Sequence, residues 1–130
     1  MQVRNIMKSP VVSIDPEQSV RAAAQTMREH GIGSVVVARD GRLVGILTER
    51  DVLHAAAELD DLRDARVGDH MTAQVITASP AWDVTVAATE MTHHQIRHLV
   101  VLEQEQLVGV VSLRDVLSVF LPERVHQLES

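Results

Sequence analysis

Cysteine is absent from the 130 residues. That removes disulfides, thiolate catalysis and Cys-ligated zinc. Aromatic side chains are confined to Trp82 and Phe120. The core must therefore be aliphatic, and a base-stacking platform for single-stranded nucleic acid has nothing to stack with. Cations are scarce: 12 Lys and Arg stand against 18 Asp and Glu, a formal charge of −6. Phosphate-driven binding of nucleic acid wants the opposite sign. No apolar run approaches the roughly 20 residues of a membrane span. The opening Met1-Gln2-Val3-Arg4-Asn5 leads into no long apolar stretch, so no signal peptide is expected. The expectation is a soluble, cytoplasmic protein with no membrane and no nucleic-acid partner. There is no Walker-type phosphate loop, no Gly-x-Ser-x-Gly elbow and no His-Glu-x-x-His helix. With no recognisable nucleophile, base or metal site, the chain is not expected to be an enzyme.

What the sequence does have is a core, with 45% hydrophobic residues, and a repeat. A shift of 64 positions carries Met7 to Met71, Pro16 to Pro80, Met27 to Met91, Leu43-Val44-Gly45 to Leu107-Val108-Gly109, and Arg50-Asp51-Val52-Leu53 to Arg114-Asp115-Val116-Leu117. Between residues 3–53 and 67–117 the register needs no gap, and 19 of 51 positions are identical. Biased composition scatters its matches, whereas a gapless register that keeps Pro, Gly and Met landmarks marks a duplication. The repeats are read as 1–64 and 65–130. A unit of about 60 residues makes a marginal core alone, so two units forming one compact module suit the size.

Each repeat reads β-α-β-β-α, an α/β (α+β) pattern. A short apolar strand comes first, Val11-Val12-Ser13-Ile14 or Val75-Ile76-Thr77-Ala78, and is broken by Pro16 or Pro80. Ser19 and Asp83 are good N-caps at equivalent places. The helices behind them set Val20, Ala23, Ala24 and Met27, and then Val84, Ala87, Ala88 and Met91, at i, i+3, i+4 and i+7. A hairpin follows. In the first repeat Ser34–Ala38 and Leu43–Leu47 flank Asp40-Gly41, a strong turn signal. In the second, Leu99–Leu102 and Leu107–Val111 flank Glu103-Gln104-Glu105-Gln106. A second helix starts at Thr48 or Ser112. Charged residues 60–67 are read as the connection between repeats, and polar Pro122–Ser130 as a loosely held end.

Chemistry concentrates in two equivalent heptads, Gly45-Ile46-Leu47-Thr48-Glu49-Arg50-Asp51 and Gly109-Val110-Val111-Ser112-Leu113-Arg114-Asp115. Each runs from a strand end into a helix start, and two readings fit. Ser or Thr followed three residues later by Asp is a capping signature. The same junction also offers free helical N–H groups, a hydroxyl and an Arg to phosphate, and a carboxylate to the two hydroxyls of a ribose.

The unit Gly-apolar-apolar-Ser/Thr-x-x-Asp, closing a tandem β-α-β-β-α repeat, resembles the cystathionine-β-synthase (CBS) domain. The stretch Ile96-Arg97-His98-Leu99-Val100-Val101 and the openings Ile6-Met7 and His70-Met71 fit it as well. The resemblance covers nearly the whole chain and implies a stand-alone CBS pair, or Bateman module. Its two pseudo-symmetric repeats would pack sheet to sheet and leave two clefts for adenosine derivatives: AMP, ADP, ATP or S-adenosylmethionine. It implies that Asp51 and Asp115 hold ribose hydroxyls, with Thr48 and Ser112 near the ribose and α-phosphate. Thr77, Ala78 and Pro80 would meet the adenine of the Asp51 cleft, and Ser13, Ile14 and Pro16 that of the Asp115 cleft. Arg97, His98, Arg50 and Arg114 would reach phosphates. The basic pair Arg97-His98 aligns with Gly33-Ser34 and exists once, so unequal sites are expected. No cofactor is required, and Mg2+ would accompany only a triphosphate. Members of the family often form homodimers through their helices and signal to a protein effector. A constitutive dimerisation or scaffold module with empty clefts is the alternative.

Seven histidines remain to be placed. Neighbours on a helix diverge by about 100°, so His93 and His94 do not converge on one ion with His98, and no metal site is expected. His98 is instead expected beside phosphate, where it would take up a proton and strengthen binding toward pH 6. Trp82 suits either a partner surface or the edge of the core.

Overall fold

The computed structural model describes residues 1–121. The expected loose end, Pro122–Ser130, lies outside them. The chain divides into two compact units. One is continuous, Val12–Val75, and the other joins Met1–Val11 to the chain from Ile76 onward.

In the continuous unit, β1 (Ser13–Ile14), α1 (Val20–His30), β2 (Ser34–Arg39), β3 (Arg42–Thr48), α2 (Glu49–Glu58) and the single turn α3 (Val67–His70) follow in order. The sheet runs β1-β2-β3, parallel then antiparallel. Ser19 caps α1 by accepting the Ala22 N–H at 3.0 Å. Gly31 ends it in the left-handed conformation, at φ 62°, where only glycine is free of a Cβ penalty. The helix face foreseen from the sequence is the one buried. Val20, Ala23 and Met27 pack with Val35, Val37 and Leu47 of the sheet and Ala55 of α2.

The split unit repeats the plan. After a 3₁₀ turn at Val3–Asn5 come β4 (Thr77–Ala78), α4 (Val84–His94), β5 (His98–Glu103), β6 (Gln106–Ser112) and α5 (Leu113–Phe120). The sheet order is β4-β5-β6. Val3, Ala78, Ala87, Met91, Leu99, Val101, Val111 and Val116 form its core. Trp82 packs, partly buried, against that core, which answers to the core-edge reading of this residue.

Several expectations are revised. The first strands shrink from four residues to two, because each pairs with only two positions of its neighbour, Ser13 and Ile14 with Val36 and Val37, and Thr77 and Ala78 with Val100 and Val101. Residues 60–67 are more than a charged connection. Leu62 packs on the core, Ala65 and Val67 are buried in it, and the Val20 N–H donates to the Ala65 carbonyl at 2.7 Å. The Gln104-Glu105 tip forms the same two-residue turn as Asp40-Gly41, with both φ values positive in each. Finally, repeats and compact units divide the chain differently. The opening Met1–Val11 belongs by sequence to the first repeat, yet it completes the unit of the second.

Candidate functional site

Both motifs sit where a strand turns into a helix, and both form a reciprocal cap. Thr48 ends β3, and its hydroxyl accepts the Asp51 N–H at 3.3 Å, while Asp51 Oδ2 accepts the Thr48 N–H at 3.0 Å. Ser112 ends β6, and its hydroxyl accepts the Asp115 N–H at 3.1 Å, while Asp115 Oδ2 accepts the Ser112 N–H at 2.8 Å. Two orphan donors are satisfied per helix, and each carboxylate sits in the first turn, where the helix dipole favours it. The capping reading of the motif is thus realised twice. It occupies chiefly one oxygen of each carboxylate.

The other oxygen, Oδ1, distinguishes the motifs. Asp115 Oδ1 lies 3.3 Å from Lys8 Nζ, with the carboxylate side chain 11% exposed and the lysine 60%. Asp51 Oδ1 has no cation in that place among the described residues. The Thr72 hydroxyl donates toward both of its oxygens at a long 3.4 Å. Lys8 and Thr72 are equivalent in the repeat, and sequence reasoning missed them both. The signal was there: each directly follows the Met landmark, Met7 or Met71. A spacing argument within one repeat looks for them in the wrong unit.

Both are held by the same device. The Lys8 backbone bridges Val110, with N–H to carbonyl distances of 2.8 and 3.1 Å, and Thr72 bridges Ile46 at 2.9 and 3.0 Å. This approach explains the motif glycine. A Cβ on Gly45 would stand 2.6 Å from Met71 Sδ and 2.9 Å from the Thr72 carbonyl oxygen. On Gly109 it would stand 2.7 Å from Met7 Sδ and 3.1 Å from the Lys8 carbonyl oxygen. Glycine lets the segment that carries the carboxylate's partner lie flat on the motif strand.

The remaining candidates distribute unevenly. Ser13, Ile14, Pro16, Thr48, Arg50 and Asp51 lie in the continuous unit, and Thr77, Ala78, Pro80, Arg97, His98, Ser112, Arg114 and Asp115 in the split one. The hairpin register brings His98 opposite Ser112, and the Arg97 carbonyl accepts the Leu113 N–H at 2.7 Å. The basic pair therefore abuts the Asp115 motif within its own unit. In the continuous unit Ser34 faces Thr48 and the Gly33 carbonyl accepts the Glu49 N–H at 3.0 Å, so that place has no charge. Arg50, Arg97 and Arg114 are exposed, and none has an acidic partner within ion-pair distance among the described residues. Pro16, Ala78 and Pro80 are buried. The Pro16 carbonyl accepts from Gly68 and that of Pro80 from Arg4, at 2.8 and 3.0 Å.

His93 and His94 meet edge to face at 5.0 Å, and His94 contacts Glu90 at 3.2 Å. Among the described residues no group of three His, Asp or Glu converges as metal ligands. Nor is any helix there long and apolar enough to cross a membrane.

Comparison with known proteins places this arrangement. The CBS domain model matches the chain twice, over residues 3–58 and 67–122. The CBS domain-containing protein YhcV of Bacillus subtilis is 33% identical over 87% of this chain and 81% of its own length. Among solved structures, the CBS domain protein PAE2072 from Pyrobaculum aerophilum complexed with AMP superposes with a TM-score of 0.82. It is 32% identical and covers 99% of this chain and 97% of its own. The CBS domain pair of protein MJ0100, in complex with 5'-methylthioadenosine and S-adenosyl-L-methionine, gives a TM-score of 0.85. It is 27% identical and covers 92% and 95%. A β-α-β-β-α plan used twice, each copy ending in a glycine-led strand and a Ser/Thr-x-x-Asp cap, makes this chain a tandem pair of CBS domains.

Proposed function

We propose that this CBS pair is a non-catalytic regulatory module that binds an adenosine derivative through Asp51 and Asp115. The observation that carries the reading is the division of labour in each carboxylate. Oδ2 is spent chiefly on the helix cap, while Oδ1 lies outside the cap and meets a side chain, Lys8 at Asp115 and Thr72 at Asp51, so a ribose diol that displaces that side chain can donate to the carboxylate without unmaking the cap. Thr48 and Ser112 hold the carboxylates in place. Arg50, Arg114, Arg97 and His98 supply positive charge for a phosphate, and Mg2+ accompanies the ligand only if it is a triphosphate. Two similar structures hold AMP or S-adenosylmethionine, which supports this ligand class. Ser13, Ile14, Pro16, Thr77, Ala78 and Pro80 contribute to adenine contact, the buried ones through their backbone or packing.

Signalling follows from assembly. Leu53 and Leu117, equivalent positions on α2 and α5, are 67% and 45% exposed, and Phe120 is exposed nearby on α5. Unpartnered apolar helix faces suit a homodimer whose arrangement a ligand biases, by as much as its affinities for the two arrangements differ. The readout is then a cytoplasmic protein effector. The alternative, a scaffold that binds no nucleotide, draws on the caps themselves, because capping alone accounts for both hydroxyls and both carboxylates.

A thermal-shift panel of AMP, ADP, ATP, S-adenosylmethionine and NAD(H), with GTP as the base control, tests the reading. A ligand at 100 times its Kd adds about 2.7 kcal/mol, roughly 10 °C in Tm for a domain of this size. A shift with adenine ligands and none with GTP supports adenosine binding. A flat panel at millimolar concentration sinks it and leaves the scaffold.

A further inference from the structure

The two motifs share one backbone and differ in charge at each of the three places that touch them. Beside the carboxylate stands Lys8 at Asp115 and Thr72 at Asp51. At the hairpin strand that receives the first helical N–H stand Arg97-His98 and Gly33-Ser34. At the first helical position stand Leu113 and Glu49. Counting Arg and Lys, the Asp115 motif has Lys8 on its carboxylate, Arg97 on the adjoining strand end and Arg114 within the motif, against the one carboxylate of Asp115. The Asp51 motif has Arg50 against two, Asp51 and Glu49. One neighbourhood is net cationic and the other net anionic, on otherwise superimposable chemistry.

We propose that Lys8 is a specificity-determining residue that makes the Asp115 motif the site for a phosphorylated adenosine, while the Asp51 motif, with Thr72 and Glu49 in the equivalent places, takes an adenosine that carries no negative charge. The inference rests on the adenosine reading above. Lys8 is suited to the role. Its backbone is fixed by the bridge to Val110, and its ammonium is tethered over a nearly buried carboxylate while remaining 60% exposed itself. A ribose bound at Asp115 Oδ1 meets this ammonium at once, which is then positioned to turn from the carboxylate to the 5'-phosphate. Arg97 and Arg114, without acidic partners among the described residues, add to the same field. At the Asp51 motif a phosphate meets Glu49 and no lysine. Three unit charges of difference in and beside the two motifs, in a solvent-screened setting, amount to roughly a tenfold preference.

AMP and adenosine differ only by the phosphate and are the probes. Single-motif proteins, Asp51→Asn and Asp115→Asn, are titrated with each by calorimetry. With Asp115 intact, AMP is expected to bind roughly tenfold more tightly than adenosine. With Asp51 intact, the two are expected within about twofold of each other. Adding Lys8→Thr to the first protein is expected to cut the AMP preference severalfold, and adding Thr72→Lys to the second to raise it. Lys8→Gln, which keeps a long polar stem, serves if the threonine variant melts early. Equal AMP-to-adenosine ratios in the two single-motif proteins, or a ratio indifferent to both Lys8 variants, overturn the charge assignment and leave the adenosine reading standing. Failure of the unsubstituted chain to bind either probe overturns both.

Discussion

The continuous and the split unit are two solutions of one fold, and they differ where the backbone does not need them to agree. Both cap their first helix, but with Ser19 in one and Asp83 in the other. Both end it in a left-handed residue, Gly31 at φ 62° and Gln95 at φ 55°. Both turn their hairpin on two positive-φ residues, Asp40-Gly41 and Gln104-Glu105. The continuous unit uses the residues that each conformation favours. The split unit uses residues that pay a Cβ penalty of roughly 1–2 kcal/mol per left-handed position. Packing enforces the same turns regardless, since the flanking strands pair from His98–Ser112 to Glu103–Gln106, with one register shift between Val101 and Leu102. The lesson is that strands, core and motif glycine specify the unit, while turn tips and the residues around the carboxylate are free to diverge.

The comparison can be broken most directly at the carboxylates. Asp51→Ala and Asp115→Ala are each expected to weaken adenosine-ligand binding at their own motif by about 100-fold, as hydrogen bonds to a charged acceptor are lost. Each should cost the fold only about 0.5–1 kcal/mol through the missing cap. Calorimetry with a parallel melting curve separates the two effects, and a loss confined to one variant would mean that a single motif binds.

Next comes the shared glycine. Gly45→Ala and Gly109→Ala are both expected to destabilise by about 1–3 kcal/mol as overpacked contacts, measured by urea unfolding. Gly45→Ala is expected to be the worse, because its new Cβ meets a backbone oxygen at 2.9 Å rather than 3.1 Å. Similar losses in both units would confirm a common need for close approach.

The turn difference is sharpened by exchange. Replacing Gln104-Glu105 by Asp-Gly is expected to stabilise the chain by about 1 kcal/mol, and replacing Asp40-Gly41 by Gln-Glu to cost a similar amount. If the first exchange gains nothing, Gln104 and Glu105 hold some compensating contact.

The smallest effect concerns acid. The Thr85 hydroxyl and N–H donate to the Asp83 carboxylate and hold it below the usual value of 3.8. A group whose folded pKa is depressed stabilises above its unfolded pKa and loses that contribution as pH falls through the folded value. The Asp83 cap therefore fades below about pH 3.8, while the Ser19 cap does not titrate. Asp83→Ser is expected to flatten the acid side of the Tm-against-pH curve slightly, and Ser19→Asp to steepen it.

Much of this was legible in the sequence. The period of 3.6 found the buried faces of α1 and α4, the caps Ser19, Asp83, Thr48 and Ser112 stand where their residue types asked, and the tandem repeat led to the CBS family. Other features resist reading for physical reasons. The 60–67 stretch hides Leu62, Ala65 and Val67 among charges, because three inward residues suffice to anchor a loop and leave no periodic signature. Gln104-Glu105 carries no turn chemistry, since the strands impose the turn. Lys8 and Thr72 were invisible as partners of Asp115 and Asp51 because a gapless duplication looks the same whether each opening segment closes its own repeat or the other one.

That crossed closure has a consequence for how the polypeptide comes to be folded. The continuous unit can finish as soon as Val75 has left the ribosome, since both of its isolated bridges, Ser19 with Arg66 and Ile46 with Thr72, lie within Val12–Val75. The segment Met1–Val11 must wait longer, because Lys8 finds its partner only when Val110 emerges. Closing so long a loop adds entropy cost only slowly with length but delays the contact. Folding during synthesis is therefore out of chain order: Val12–Val75 sets first, and the segment Met1–Val11 that precedes it joins its own unit only afterward.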